Sequence, residues 1–224
     1  MIIDIRKIYV EIKNRIIDLT YPPNTLIKEE ALAEEYKISR TPVRSVISRL
    51  VQRGLLVVRP KRGTYVSRIS IKMIDNDAYI RQAVECKIIE DAIKNITPDD
   101  VAVLKQILLE QEEITNMEPS IEKSKLFNDN DNKFHIEIFR IAGHQNLWQD
   151  LVNSTINFDR VRIMSNMRSV PDVRQVYLYH CEIVKYLEEK NVEKAKEAFQ
   201  KHIGIALDRI EMVKEKYKDY FVEE

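Results

Sequence analysis

Apolar residues recur at Val43, Val46, Ile47, Leu50 and Val51, the i, i+3, i+4, i+7, i+8 spacing that puts one stripe on one helix face. The ends are signalled too. Ser39 or Thr41 can accept a backbone N–H as N-cap, Pro42 fits the first turn where its missing donor costs nothing, and Gly54 supplies a left-handed stop. Upstream, Ile5, Ile8, Tyr9, Ile12 and Ile16 predict a first helix, and Ala31, Leu32, Ala33 and Tyr36 a short second one after the Pro22-Pro23 break. Downstream, Leu55–Val58 and Thr64–Val66 read as two strands around a turn bearing Arg59, Lys61 and Arg62. Helix, helix, helix, hairpin is the order of a winged helix-turn-helix, with the hairpin as its wing.

From about Ile71 the strand pattern stops. Helical segments are predicted near 72–95, 98–117, 120–142, 146–168, 172–189 and 192–220. Thr97-Pro98-Asp99-Asp100 is an N-cap followed by proline and an acidic first turn, and Asn191 caps the last segment. The fold class is therefore mainly α: a winged helix-turn-helix over residues 1–70 and an all-α bundle of six to seven helices over 71–224. Residues 67–71 lack a Gly/Ser tract, which predicts a short connector able to transmit a change of angle between domains.

Charge separates the same two parts. Residues 1–70 hold 14 Lys and Arg against 7 Asp and Glu, net +7, whereas residues 71–224 hold 22 against 29, net −7. A basic first third joined to an acidic remainder points to a nucleic-acid module beside a domain that does not touch nucleic acid. Two cysteines, Cys86 and Cys181, without CxxC spacing, give neither a disulfide framework nor a thiolate zinc knuckle, and read as small buried residues. Only 4 glycines, and no P-loop or dinucleotide fingerprint, argue against nucleotide enzymes. No apolar run is long enough to span a membrane, and Asp4, Arg6 and Lys7 interrupt the N-terminal segment, so a cytoplasmic protein is expected.

Arg40 and Arg44 lie four apart at the start of the third helix, the end that a helix-turn-helix protein inserts into the major groove, where guanidinium groups grip phosphate or the O6/N7 edge of guanine. A solvated helix face is the plainer alternative, against which the charge asymmetry weighs. Through Leu26, Glu30, Leu32-Ala33, Ser39-Arg40-Thr41-Pro42-Val43-Arg44, Leu50, Gly54-Leu55 and Gly63-Thr64-Tyr65-Val66, the segment resembles the DNA-binding domain of the GntR family of bacterial transcription regulators. The resemblance implies that Arg40 and Arg44 read the operator, that Ser39 and Thr41 help to bind phosphate, and that the wing enters the neighbouring minor groove. Arg49, Lys61, Arg62 and Gly63 complete the candidate DNA-binding set. Some members carry a further DNA-contacting Arg where this chain has Glu30, and that contact is not carried over.

The second candidate site is in the helical part. Asp131 and His135 stand at i, i+4 and share a helix face. His180 and His202 lie equidistant from the predicted turn at Asn191, so in an antiparallel hairpin they stand at one height. Pointing inward together, the four make an N/O site for a divalent metal ion such as Zn, Ni, Mn or Fe. Taken singly, each histidine is more often a satisfied core residue. Asp131-Asn132-Lys133-Phe134-His135, Ala142-Gly143-His144-Gln145-Asn146-Leu147, His180 and His202 resemble the FCD-type effector domain of the FadR subfamily of GntR regulators, in which such a set binds a divalent metal. His144 stands where the family has a polar loop residue and reads as a helix-boundary group; Tyr179 stands where it often has Glu. The family's effectors are small carboxylates or hydroxy acids, and Arg81 matches the arginine that holds them. An ion pair with Glu85, four residues on, is the structural alternative for Arg81.

The expected function is a homodimeric transcription repressor on a pseudo-palindromic double-stranded operator, controlled by a small carboxylate at the metal site. A metal-dependent hydrolase or oxygenase fused to a DNA-binding domain is one alternative, for which no general base at a clear spacing is found; a pure metal sensor is another.

Overall fold

A computed structural model describes residues 4–167 and 173–223. The predicted helix ends at 168 and 172 lie outside the described residues. The chain divides into two compact units, one reaching to Ile71 and taking in the segment from Tyr217 on, the other running from Lys72 to Lys216.

In the first unit, α1 (Ile5–Ile17) and α2 (Glu29–Glu35) pack on α3 (Arg40–Gln52). Four of the five predicted stripe residues are buried, Val43, Val46 and Leu50 at most 1% exposed, as are Ile12 and Ile16 opposite, while Val51 is half-buried. Burying each such side chain stabilises the unit by roughly 1.5–3 kcal/mol. Gly54 takes φ +70° just past α3, the left-handed stop. Ser39 occupies the N-cap position, but its side chain makes no capping hydrogen bond. The wing is the antiparallel pair β2 (Leu56–Arg59) and β3 (Gly63–Val66), with Val58 opposite Thr64.

Two strand pairings were not anticipated. β1 (Leu26–Ile27) adds to the free edge of β3. β4 (Ile69–Ser70) pairs in parallel with β5 (Phe221–Val222), so the last residues belong with the first unit, whereas the sequence reading ran the helical domain to residue 224. Phe221 is buried there, which supplies the reason for the return.

The second unit is all helical among the described residues: α4 (Ile71–Asn95), α5 (Pro98–Thr115), α6 (Ile121–Ile141), α7 (Leu147–Ser154), α8 (Ile156–Ser165), α9 (Arg174–Glu188), α10 (Val192–Asp208) and α11 (Ile210–Lys216). Thr97 and Asp100 form a capping box at α5, and Asn191 caps α10 through the Lys194 N–H. The segments expected at 146–168 and 192–220 are each divided. At Thr155 the backbone leaves helical angles and the buried hydroxyl donates to the Leu151 carbonyl; Arg209 ends α10. No helix among the described residues is long and apolar enough to cross a membrane.

Candidate functional site

α5 packs against α6 and α9, and α9 against α10, so that α6, α9 and α10 deliver their inward side chains to one point. Asp131 and His135 come from α6, His180 from α9 and His202 from α10, all four buried. One donor atom from each lies within 4.8 Å of the other three. Donors on opposite sides of a single ion with bonds of about 2.1 Å stand about 4.2 Å apart, so the cluster is near closing distance. His180 and His202 do stand level, their ring centroids 4.5 Å apart.

Two of the three imidazoles have neighbours that hold them in place. His180 Nδ1 donates to Gln111 Oε1 at 2.7 Å, which turns Nε2 toward the cluster, 3.4 Å from Asp131 Oδ1. That Nε2 is buried and makes no hydrogen bond. His135 Nδ1 lies 3.0 Å from Glu85 Oε2, too poorly angled for a hydrogen bond, and its Nε2 faces His202 Nε2 at 3.2 Å. Phe134 stacks on His180 and Trp148 on His135, at centroid distances of 4.0 and 4.9 Å. Partners of this kind fix the tautomer and aim of a ligating imidazole.

The protonation states suit a cation. Burial pushes His180 down to about 3 and, helped by His180 and His135, holds His202 well below the usual histidine value. Burial works to raise Asp131, but Arg162, His135 and His180 more than offset it and hold the carboxyl below its ordinary range. Neutral imidazoles and an ionised carboxylate are the forms that bind metal. The buried lone Nε2 of His180 and the donor set together fit a divalent ion.

A network of arginines and carboxylates adjoins the cluster. Arg81 Nε donates to Glu85 at 2.7 Å, and Arg81 Nη1 donates to both oxygens of Asp159 at 2.9 and 3.0 Å. Arg81 is thus ion-paired with Glu85, the structural alternative raised for it, and also lines a cavity. Burial works against its charge, yet Asp159 and Glu85 hold its pKa above the ordinary arginine value. Arg162 on α8 contacts Asp131 Oδ2 through Nη1, Asn132 through Nη2 at 2.8 Å, and Asp159 through Nε at 3.1 Å. Between them is a cavity of about 20 Å³, lined by Arg81, Asp131, His135, Arg162 and His202, with room for one or two water-sized groups.

Glu85 as the partner of His135, and Gln111, Asp159 and Arg162, were not singled out from sequence as site residues. The i, i+3 spacing of Asp159 and Arg162 was the available signal; Gln111 had none, since its meaning depends on α5 meeting α9. His144 lies apart from the cluster, half exposed beyond Gly143, 4.0 Å from Asp91. Cys86 is buried as expected, but Cys181 is only partly so.

In the first unit Arg40 and Arg44 are exposed on α3 and each meets an acid from α2: Arg40 Nη1 with Glu30 at 2.9 Å and Arg44 Nε with Glu29 at 2.7 Å. Exposed pairs of this kind contribute about 0–1 kcal/mol, so phosphate can displace them. Ser39 and Thr41 are exposed beside them. Arg49 lies over the Tyr9 ring, 4.5 Å from its centroid. At the wing tip Lys61 and Arg62 are exposed, Lys61 with φ +60°, and Arg62 N–H closes the turn onto the Arg59 carbonyl at 2.9 Å. Gly63, at φ +115°, leaves room for Leu26: a Cβ there would come within 2.8 Å of its Cδ1.

Residues 5–66 match the family described as bacterial regulatory proteins, gntR family, and residues 78–204 match the FCD domain. Over 221 residues, 98% of this chain and 94% of the relative, the sequence is 29% identical to the HTH-type transcriptional repressor RspR of Escherichia coli K12. The fold is similar to that of E. coli McbR/YncC, at a TM-score of 0.76 and 20% identity over 97% of this chain and all of the other. A transcriptional regulator GntR from Rhodococcus sp. RHA1, putative by its description, gives 0.70 at 20% identity, covering 93% and 97%.

Proposed function

The chain belongs to the GntR family of bacterial transcription regulators, in the FadR subfamily that carries an FCD domain, and on that premise we propose that it is a homodimeric repressor whose grip on its operator is set by a small carboxylate seated at a metal site. The family is one of DNA-binding regulators and not of enzymes, so the hydrolase or oxygenase alternative is set aside. The observation that carries the effector part is the convergence of Asp131, His135, His180 and His202 on one point beside a cavity.

On the DNA side, Arg40 and Arg44 exchange Glu30 and Glu29 for the operator, Ser39 and Thr41 bind phosphate, and Lys61, Arg62 and Gly63 carry the wing along the neighbouring groove. Arg49 supports the helix from its seat on Tyr9. A homodimer presents two such helices to the half-sites of a pseudo-palindrome. Likeness to a named repressor favours repression, and an operator-binding protein works in the cytoplasm.

On the effector side, Asp131 and the three histidines hold a divalent ion of the Zn, Ni, Mn or Fe type, which when bound supplies a Lewis-acidic seat for a carboxylate or hydroxy acid. Gln111 and Glu85 orient two of the imidazoles, and Arg81 lends positive potential from the cavity wall. Effector binding is coupled to operator affinity by about 1–3 kcal/mol, the usual range for such linkage.

The test is elemental analysis of the purified protein and of the four Ala variants, together with fluorescence anisotropy on DNA from beside its gene. One ion per chain, lost in each variant and kept in His144→Ala, with DNA affinity that shifts on adding a small carboxylate, is the expected result. Stoichiometric metal surviving loss of His180 or His202 overturns the site.

A further inference from the structure

Arg59, which the sequence places in the wing turn with Lys61 and Arg62, does not share their exposure. It is half-buried where β2 ends, opposite Gly63 at the root of the tip. Its guanidinium lies over the Tyr65 ring, 4.4 Å from the centroid, and Nη2 donates to Asn24 Oδ1 at 2.6 Å. Both partners are uncharged, so what they fix is the direction of the guanidinium plane and not its charge.

Asn24 is the junction. It stands at φ +68° in the turn before β1; its N–H donates to the Val66 carbonyl at 3.0 Å, and the Val66 N–H donates to the Thr25 carbonyl at 2.9 Å. The side-chain amide binds in two directions, accepting from Arg59 through Oδ1 and donating through Nδ2 to the Asp219 carbonyl at 2.8 Å. A guanidinium only donates and a carbonyl only accepts, so an amide is the side chain that satisfies both, and Asn tolerates the left-handed backbone as well. Toward the tip, the Tyr65 hydroxyl donates to the Arg62 carbonyl at 3.0 Å, and the Arg62 N–H to the Arg59 carbonyl at 2.9 Å. One line of contacts therefore runs from the main chain at Asp219 through Asn24, Arg59 and Tyr65 to Arg62.

The start of that line is 195 positions from Asn24 in the chain. It lies beyond both family matches, which cover residues 5–66 and 78–204. The chain leaves the first unit after Ile71 and returns to it after Lys216, where β5 pairs with β4, Phe221 is buried and Tyr217 stacks on Tyr220 at 5.3 Å.

We propose that Asn24, Arg59 and the returning segment 217–222 form a brace that positions the wing for DNA, so that residues following the last effector helix belong to the DNA-reading apparatus. The inference rests on the reading that Lys61 and Arg62 meet phosphate beside the recognition helix, and adds the residues that aim them. A hairpin of two four-residue strands is marginal by itself. Holding its root on β1 and Asn24 restricts the swing of the tip before DNA arrives, so less freedom is lost on binding.

Full-length protein on a labelled duplex from beside its gene tests this, by anisotropy over a range of salt and by hydroxyl-radical footprinting. The wild type is expected to protect each half-site and, beside it, a patch of minor groove under the wing. Asn24→Gly takes φ +68° freely and loses both amide bonds. It should lose the minor-groove patch, keep the half-site protection, and lower the salt slope by about 1–2 per chain, the share of Lys61 and Arg62. Ending the chain after Lys216 should do the same, whereas Asp219→Ala, which keeps the carbonyl, should retain the patch. Truncation joined to Asn24→Gly should weaken binding no further than either alone, because both cut one line of contacts. An unchanged patch and slope in Asn24→Gly overturn the proposal, as does an additive loss in the double variant. Half-site and wing protection lost together make Asn24 a support of the fold alone and overturn it too. Should the truncated chain not fold, Asn24→Gly decides by itself. A wild type that protects the half-sites without any minor-groove patch fails the wing reading itself, a result distinct from a patch indifferent to Asn24.

Discussion

His180 Nδ1 donates to Gln111 Oε1 across 2.7 Å, and this one bond from α9 to α5 decides which face of the ring meets Asp131 and His202. Gln111 is fully buried, so neither water nor another residue from the surface replaces it. Gln111→Leu is expected to keep the helix and its packing while releasing the tautomer. Metal affinity should fall about 10–100-fold, the usual effect of removing a ligand's supporting partner. Competition with a chromophoric chelator measures it, and an unchanged dissociation constant shows that the stack on Phe134 alone aims the ring.

The DNA-facing arginines are held by acids, which gives predictions of opposite sign. Arg40→Ala and Arg44→Ala should each weaken operator binding by about 1–3 kcal/mol. Glu29→Gln and Glu30→Gln free the same guanidinium groups from pairs at 2.7 and 2.9 Å and should strengthen binding to any DNA. The Glu variants should also show a steeper salt dependence. Anisotropy titrations over a range of salt read both, and a Glu variant that binds more weakly than the wild type contradicts the displacement.

Lys61 holds φ +60° at the wing tip, a conformation glycine adopts freely and a branched-off side chain resists. Lys61→Gly should raise stability by about 0.5–1 kcal/mol, through relief of that conformation offset by greater freedom of the unfolded chain. It should also weaken DNA binding and flatten its salt slope by losing one cation. Loss of stability on this change, read by urea unfolding, would show that Lys61 is held by something stronger than its backbone preference.

Asp77 accepts the Asn157 and Phe158 backbone N–H groups at the start of α8, at 3.0 and 3.2 Å, and burial pushes its carboxyl up to about 6. The folded chain then binds this proton more tightly than the unfolded one, so ionised Asp77 lowers stability above pH about 6, and the penalty vanishes below about 4. Asp77→Asn keeps an acceptor oxygen without the charge. It should gain on the order of 2 kcal/mol near neutral pH and nothing in mild acid. Urea unfolding at both pH values decides it, and a gain that is the same at each assigns the effect to packing.

What was legible in the sequence was local. A 3.6-residue period specifies the buried stripe of α3, Gly54 its end, and a four-residue step the shared face of Asp131 and His135, because each depends only on the geometry of one helix. Even the level of His180 and His202 followed from counting residues about a capped turn. What only the tertiary structure decided was which helix meets which. Gln111, Asp159 and Arg162 acquire their roles from neighbours 69, 78 and 31 positions away. The pairings of β1 with β3 and of β5 with β4 rest on strands β1 and β5 of two residues each, too few to show any period. The division of two predicted helices at Thr155 and Arg209 likewise depends on how the segments pack and hydrogen-bond. Side-chain direction is a property of the local backbone; the charge that a side chain must answer is a property of everything packed around it.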